Sequence, residues 1–298
     1  MALAGEIVTP KSGIWRQARP FLTTKILFGG SIVAVLFFMG LLAPLLSPFD
    51  PNSQNLGIAL TAPQGLSGPY FLGTDQLGRD VLSRIFYGAR VSLIIGIGVA
   101  VLSGLIGIVL GAISGFYSGR IDLLIQKSVE VMWAFPPLLF AIALIAFLGQ
   151  SLSILIAALV LQRWIPFCRV ARAQALSLRS RDFVDAARAL GATNGRILRK
   201  NIVPNLIQTS IVIGTFAMAT AIISEASLSF LGLGVPRNIP TWGSMLADAR
   251  AHISTSWWMP LFPGLFILMT VLGINLLGDG LRDIIDPRLN RAGVRSER

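Results

Sequence analysis

Long stretches without any charged residue alternate with charged segments along this chain. Five such stretches occur, and each exceeds the roughly 20 residues that a helix needs to cross about 30 Å of hydrocarbon. They cover residues 26–49, 91–119, 131–162, 201–224 and 251–278. This pattern predicts an all-α membrane protein.

The third stretch is too long for one crossing, since at 1.5 Å per residue a helix over 131–162 would measure about 48 Å. Gly149-Gln150-Ser151 interrupts it, so we divide it into spans near 128–148 and 152–169. Pro136-Pro137 predicts a bend in the first of these. Arg163 falls towards the end of the second, where a long side chain can reach the membrane surface.

The result is six spans, the first over 26–47 and five more within 91–280. The placement of Lys and Arg supports this count, because cytoplasmic segments are enriched in both. With the N-terminus inside, 20 of the 25 basic residues fall in four cytoplasmic segments. These are 1–25, 117–130, 163–207 and 279–298. Five spans would place the Arg-rich tail, 281–298, outside. We therefore expect both termini in the cytoplasm.

Composition supports a membrane protein and excludes other classes. Hydrophobic residues make up 54% and charged residues 13%, against about 25% charged in soluble domains. The net charge of +11 does not indicate nucleic-acid binding, because the basic residues lie between the apolar stretches. Cys168 and His252 are the only residues of their kinds, so no Cys/His zinc site is possible. The sequence has no GxxxxGK[ST] phosphate loop and no clustered catalytic groups. We expect no enzymatic activity and no bound cofactor or metal.

The longest cytoplasmic segment contains a short amphipathic helix pattern. Residues 163–200 hold nine Lys or Arg and two Asp, too many charges for lipid. Apolar residues recur there with helical spacing. They are Phe183, Ala186, Ala187 and Leu190. Gly191 is a natural helix C-cap, and Thr193 predicts the start of a second helix that ends at Pro204.

Two interpretations of this helix remain open on periodicity alone. It could lie flat on the bilayer, with its arginines on anionic lipid. It could instead insert its apolar stripe into a groove of a soluble partner. The small residues Ala186 and Ala187 slightly favour docking, because a lipid-seeking stripe would carry bulkier side chains.

Residues 185–205, DAARALGATNGRILRKNIVPN, resemble the EAA loop of ABC-transporter importer permeases. The resemblance rests on an acidic residue before two alanines, a glycine four residues later and a proline before the next span. Asp185 replaces the usual Glu, and Val203 and Asn201 also depart from the family pattern. Further stretches are similar to the C-type permease of dipeptide and oligopeptide importers. They are 72–93, 224–236, 241–246 and 275–289.

The resemblance implies a type I importer fold, with a coupling loop over 170–204 whose helix sits in a cleft of an ATPase subunit. The coupling residues it implies are Asp182, Phe183, Asp185, Ala186, Ala187, Leu190, Gly191 and Pro204. It also implies a bacterial inner membrane location and partners. These are a second permease, normally a different B-type chain, two cytoplasmic subunits that bind ATP and magnesium, and an external substrate-binding protein.

The external loop 48–90 predicts a helix resting on the outer surface. Thr74 or Asp75 can cap it, and four charged residues are expected to face out. They are Arg79, Asp80, Arg84 and Arg90. Two roles remain open: a brace leading into the second span, or part of a mouth that receives substrate from the binding protein. The mouth would also include the outer loop 232–258. The candidate contacts are Asp75, Arg79, Asp80, Trp242 and Met245.

Glu225 is the only acid well inside an apolar stretch, and an ionisable group there usually faces a cavity or a partner. The sequence leaves open whether it lines the translocation path or pairs with a neighbouring helix.

Other functions fit the sequence less well. An ion-coupled secondary transporter predicts intramembrane acids or paired broken helices, and a membrane enzyme predicts catalytic groups at one depth. Within the importer class the cargo stays open, because the resemblance admits peptides, glutathione, nickel chelates and opines.

Overall fold

A computed structural model describes residues 24–285, so most of the predicted terminal segments 1–25 and 281–298 lies outside it. The described chain is helical and contains no strand, only a single antiparallel bridge between Thr74 and Asp80. We number the helices of eight or more residues. They are α1 Thr24–Leu41, α2 Val81–Tyr117, α3 Gly119–Trp133, α4 Pro137–Leu148, α5 Leu152–Leu178, α6 Asp182–Ala189, α7 Val203–Phe230, α8 Trp242–Ala249 and α9 Trp258–Ile285.

Five helical segments in residues 24–285 are long and apolar enough to cross a membrane, and there are six if two helices joined at a sharp bend count as one broken span. The five are α1, α2, α5, α9 and the continuous segment Asn194–Phe230 that contains α7. Helices α3 and α4 form this bent pair and meet at an angle of 85°. Pro136 and Pro137 lie at this break, because proline lacks the N–H that would continue the helix. The predicted bend is thus a complete break.

The central pair of helices, α2 and α5, approaches closely along a row of glycines. A Cβ added to Gly107 would lie 2.4 Å from Phe167 Cβ, and one on Gly111 would lie 2.4 Å from the carbonyl oxygen of Cys168. Membrane helices often pack through such small residues, since lipid supplies no hydrophobic drive for association. Cys168 is buried in this contact as a small apolar residue.

The loops gather at two ends of the bundle, which we call face A and face B. Face A comprises residues 42–80, 149–151 and 231–257, and face B comprises 117–119 and 179–202. A hydrogen bond of 2.7 Å from Gln150 Nε2 to the Gly232 carbonyl joins two loops of face A. On face B, the Arg179 guanidinium donates to Ser118 Oγ at 2.6 Å.

Two predicted elements differ from the structure. The region around 81–90 is not a separate surface helix but the start of α2, which runs unbroken from Val81 to Tyr117. The helix expected to end at Pro204 continues instead into α7. A π-helical turn over Leu198–Ile202 precedes the proline. Its wider backbone makes room for the proline ring, at a point where proline donates no hydrogen bond to the preceding turn.

Candidate functional site

Helix α6, on face B, is a short helix with well-defined ends. Asp182 and Asp185 lie in its first turn and Arg188 in its last. These charges stabilise the helix, because acids near its start and a base near its end interact favourably with the helix dipole. Gly191 follows with a φ of +79°, a conformation that suits glycine. Its N–H donates to the Arg188 carbonyl at 2.9 Å, and the next N–H donates to the Ala187 carbonyl at 3.0 Å. These two bonds form a Schellman cap, which places Gly191 in the predicted capping role.

The side chains of α6 divide into an anchoring face and an uncovered face. Val184 is 0% exposed and packs with Phe116, Ile197 and Ile202 of the neighbouring segments. Sequence analysis missed Val184, because this residue falls outside the i, i+3, i+4, i+7 stripe that starts at Phe183. Phe183 and Val184 stand side by side between Asp182 and Asp185, and the sequence did not indicate which of the two is buried.

Most of the predicted apolar stripe points away from the bundle, although Ala187 packs at its edge against the cluster that contains Val184. Phe183 and Ala186 are exposed, Ala187 is half-buried and Leu190 is 88% exposed. Asp182 and Asp185 are also exposed beside this stripe. Pro204 lies at the start of α7, after the loop, and not on α6 itself. The arrangement is a firmly held helix that presents an uncovered apolar surface with acidic residues alongside, as expected of a docking element.

Face A contains a buried cluster of ionic side chains. Arg79 Nε lies 2.6 Å from Asp75 Oδ2, and its Nη2 lies 2.9 Å from Asp248 Oδ2. Arg84, only 1% exposed, places Nε at 3.6 Å from Asp75 and Nη2 at 3.8 Å from Asp248. The cluster joins the 42–80 loop, the start of α2 and α8.

The prediction that Arg79, Asp80 and Arg84 face outward is wrong, although Arg90 is exposed. Asp80 Oδ2 accepts a hydrogen bond of 2.8 Å from the Ser83 N–H and so caps α2. Burial raises the pKa of the Asp80 carboxyl, while the hydrogen bonds from Ser83 oppose the shift. The sequence placed the cap five or six residues too early, because Thr74 and Asp75 are also capping residue types.

Trp242 and Met245 are buried as well. The indole Nε1 of Trp242 donates to the Ile85 carbonyl at 3.1 Å, and its ring lies against Gly88, where a Cβ would come within 2.9 Å. All five residues predicted to contact a binding protein therefore lie in the interior of face A in this structure. These residues join the loops of face A. None of them has an exposed side chain with which to contact a binding protein.

An open cavity of about 490 Å³ adjoins the ionic cluster on face A. Gln150, Arg237 and Ser244 line it, together with Asp248 of the cluster. The sequence did not indicate this polar, accessible surface, because the residues that line the cavity come from three separate segments of the chain.

Glu225 lies in the interior of the bundle near this cavity and is 1% exposed. Its Oε1 accepts a hydrogen bond of 2.7 Å from Ser229 Oγ, one turn further along α7. The start of α8 packs directly on this turn, since a Cβ on Gly243 would lie 2.6 Å from Ala226 Cα. The bond to Ser229 lies within α7, and Glu225 Oε2 is buried without a hydrogen-bond partner among the described residues, so the predicted pairing with a neighbouring helix stays a prediction.

Comparison with known proteins identifies the family. Residues 107–291 match the model of the "binding-protein-dependent transport system inner membrane component" family, and residues 15–63 match that of the "N-terminal TM domain of oligopeptide transport permease C". The first match spans more than half of the chain. The chain belongs to this family. The permease is thus a multi-pass inner membrane protein, and the predicted resemblance to C-type permeases is confirmed.

Curated relatives resemble the permease over nearly its full length. It is 41% identical over 288 residues to the di/tripeptide transport system permease protein DppC of Pseudomonas aeruginosa, covering 95% of this chain and 94% of the relative. It is 40% identical over 289 residues to the oligopeptide transport system permease protein OppC of Bacillus subtilis, covering 96% and 94%.

A solved structure of the MetNI methionine ABC transporter, described as inward-facing, contains a chain with the same fold. The TM-score is 0.56 at 16% identity, over 68% of the permease and 97% of that chain. This likeness confirms the predicted all-α importer-permease fold.

Proposed function

We propose that the permease is the C-type transmembrane subunit of an ATP-driven importer that carries peptides. The peptide cargo is supported by the relatives of about 40% identity, which are named for the transport of dipeptides, tripeptides and oligopeptides. The stretches 72–93 and 224–236 support the same assignment, since both are similar to peptide-importer permeases.

The observation that carries the proposed mechanism is the uncovered stripe of α6. Val184 anchors the helix to the bundle, while Phe183, Ala186 and Leu190 remain available to a partner. We propose that this stripe docks into a cytoplasmic ATPase subunit, which binds ATP and magnesium and supplies the energy. Movement of the docked helix would then reach the bundle through the buried cluster that Val184 shares with Phe116 at the end of α2.

This assignment places face B in the cytoplasm and face A outside. The excess of Lys and Arg in the segments of face B supports that orientation. A substrate-binding protein would then meet face A, and the cavity lined by Gln150 and Arg237 offers it a polar surface. A second permease, normally non-identical, completes the translocation path.

The test is reconstitution of the permease in vesicles with its partner permease, ATPase subunits and binding protein. We expect uptake of labelled di- and tripeptides that requires both ATP and the binding protein. Uptake driven by an ion gradient without the ATPase subunits would contradict the importer assignment. ATP-dependent uptake of glutathione, a nickel chelate or an opine, but of no peptide, would contradict the cargo alone.

A further inference from the structure

Arg163 lies near the middle of helix α5, which is longer than the span over 152–169 that the sequence predicts. Helix α5 runs from Leu152 to Leu178, nine residues beyond the predicted end of this span. Arg163 comes 11 residues after Leu152, which at 1.5 Å per residue is about 17 Å below face A. A hydrocarbon core about 30 Å thick that begins at Leu152 would place this residue close to its centre. The side chain is too short to reach either membrane surface from there.

The guanidinium of Arg163 has unused hydrogen-bonding capacity. Its Nη2 donates to Ser224 Oγ of α7 at 3.1 Å, and no carboxylate among residues 24–285 forms an ion pair with it. An arginine carries five N–H donors, so most of them remain available. A charged residue at this depth faces a water-filled cavity or a partner rather than lipid.

The break between α3 and α4 lies beside Arg163 and provides such a cavity. A space of about 170 Å³ is lined by Trp133, Phe135, Pro137 and Gln162, together with Arg163. Non-helical backbone is tolerated at membrane depth only where protein covers it or where it lines water. Gln162 Nε2, 3.4 Å from the Met132 carbonyl, satisfies one of the carbonyls that the break releases.

The lining combines positive charge with aromatic surface. Trp133 and Phe135 are both half-exposed, and the guanidinium of Arg169 lies 3.6 Å from the centre of the Trp133 ring. Arg163 is the one charged residue of the described lining, which contains no acid, and Arg169 adds a second positive charge beside Trp133. The surface suits an anion attached to an apolar group.

We propose that Arg163 binds the terminal carboxylate of a peptide as it passes through the membrane, while Trp133 and Phe135 contact the adjoining side chain. This inference rests on the proposed peptide cargo. A guanidinium and a carboxylate can form two parallel charge-assisted hydrogen bonds, which gives both attraction and orientation. The break in the third span then serves to open a polar site at mid-depth, as discontinuous helices do in other transporters.

The first test compares uptake of a peptide with a free carboxylate and of the same peptide as its C-terminal amide. Each peptide is measured with the wild-type importer and with Arg163→Gln, so that the selectivity of the binding protein cancels. We expect Arg163→Gln to lower uptake of the free acid about tenfold, the loss of one charge-assisted bond, and to leave the amide unchanged. Arg90→Gln, which removes an exposed arginine of α2, is the matched control and should leave both unchanged.

Equal loss for both peptides, or no loss for either, would overturn the proposal. A variant that no longer assembles with its partner permease would do so too, because it would indicate that Arg163 pairs with a carboxylate of that subunit. Failure of the wild-type importer to take up any peptide would instead refute the proposed function, so the two failures are distinguishable.

A second test does not depend on the binding protein. In the assembled importer carrying Cys168→Ala, a cysteine is introduced by Phe135→Cys and its reaction with anionic and cationic thiosulfonate reagents is compared. We expect the anionic reagent to react faster, Arg163→Gln to remove that preference, and a free-acid peptide to slow the reaction. A preference that is absent or that survives Arg163→Gln would contradict the proposal, as would a lack of protection by the peptide.

Discussion

The charged segments on the two faces of the permease differ in how far the rest of the chain covers them. On face A, the buried side chains of Asp75, Arg79 and Arg84 form ion pairs with one another and with the partly exposed Asp248. On face B, α6 is anchored through a single buried residue and leaves its apolar stripe uncovered, with Leu190 88% exposed. On face A the charged side chains thus pair within one chain, while on face B most of the α6 stripe has no covering contact among the described residues.

This difference teaches how to separate structural from coupling residues in such a permease. A substitution in the face A cluster should change the stability of the chain, because it leaves a buried charge without a partner. A substitution on the α6 stripe should change assembly and transport and leave stability unaffected. The following predictions test that separation.

The largest effect is expected from Asp75→Ala. It removes the carboxylate that lies nearest to both Arg79 and Arg84, so two guanidinium groups would depend on Asp248 alone. Breaking a buried ion pair in this way costs about 3–5 kcal/mol. The midpoint of thermal unfolding of the purified permease should fall clearly, whereas Asp50→Ala, at an exposed position of the same loop, should have little effect. Equal midpoints for the two variants would show that the cluster does not stabilise face A.

Leu190→Glu should separate transport from stability. The side chain is uncovered in the permease alone, so the unfolding midpoint should remain unchanged. A charge at the centre of the proposed interface should cost about 2 kcal/mol or more of ATPase binding, or about 30-fold in affinity. Co-purification with the ATPase subunits and ATP-driven uptake measure the effect, and Leu190→Met should behave as the wild type. Normal uptake by Leu190→Glu would show that the stripe does not dock.

Two glycines, both with open space around them, test whether the backbone conformation at the end of α6 matters for transport. Gly191→Ala forces a side chain into a φ of +79°, which costs about 1 kcal/mol, while Gly195→Ala meets no such strain. We expect uptake to fall about fivefold for the first variant and not for the second. If both transport equally, the cap geometry is irrelevant to coupling.

Glu225→Gln should have the smallest effect. Glutamine keeps an oxygen that can accept the bond from Ser229, and the residue has almost no exposed surface. We expect a change in stability of less than about 1 kcal/mol and normal uptake of neutral and charged peptides. A loss of uptake that depends on the charge of the peptide would restore the alternative in which Glu225 lines the path.

Much of the fold could be predicted because a bilayer imposes a simple rule. Charge-free stretches marked the spans, and Gly149 and the two prolines at 136 and 137 marked interruptions. The size of the break between α3 and α4 could not be predicted. It depends on how α3 packs at face B, where Asp122 forms two hydrogen bonds of 2.6 Å with Arg172 of α5.

The face A cluster escaped prediction for a similar reason. Arg79 and Arg84 look like surface residues in the sequence, and only the fold places Asp248 beside them. Helix α6 was predicted more successfully, because its cap and its stripe are local features. What the sequence could not supply was Val184, whose burial depends on α2 and on the segment before α7.

The most direct test of the account is the accessibility of one residue from each side of the membrane. In the Cys168→Ala background, Leu190→Cys is treated with a membrane-impermeant maleimide in intact cells and in inside-out vesicles, with and without the ATPase subunits. The account predicts labelling only in inside-out vesicles, and protection when the ATPase subunits are bound. Labelling in intact cells, or labelling that the bound subunits do not reduce, would contradict it.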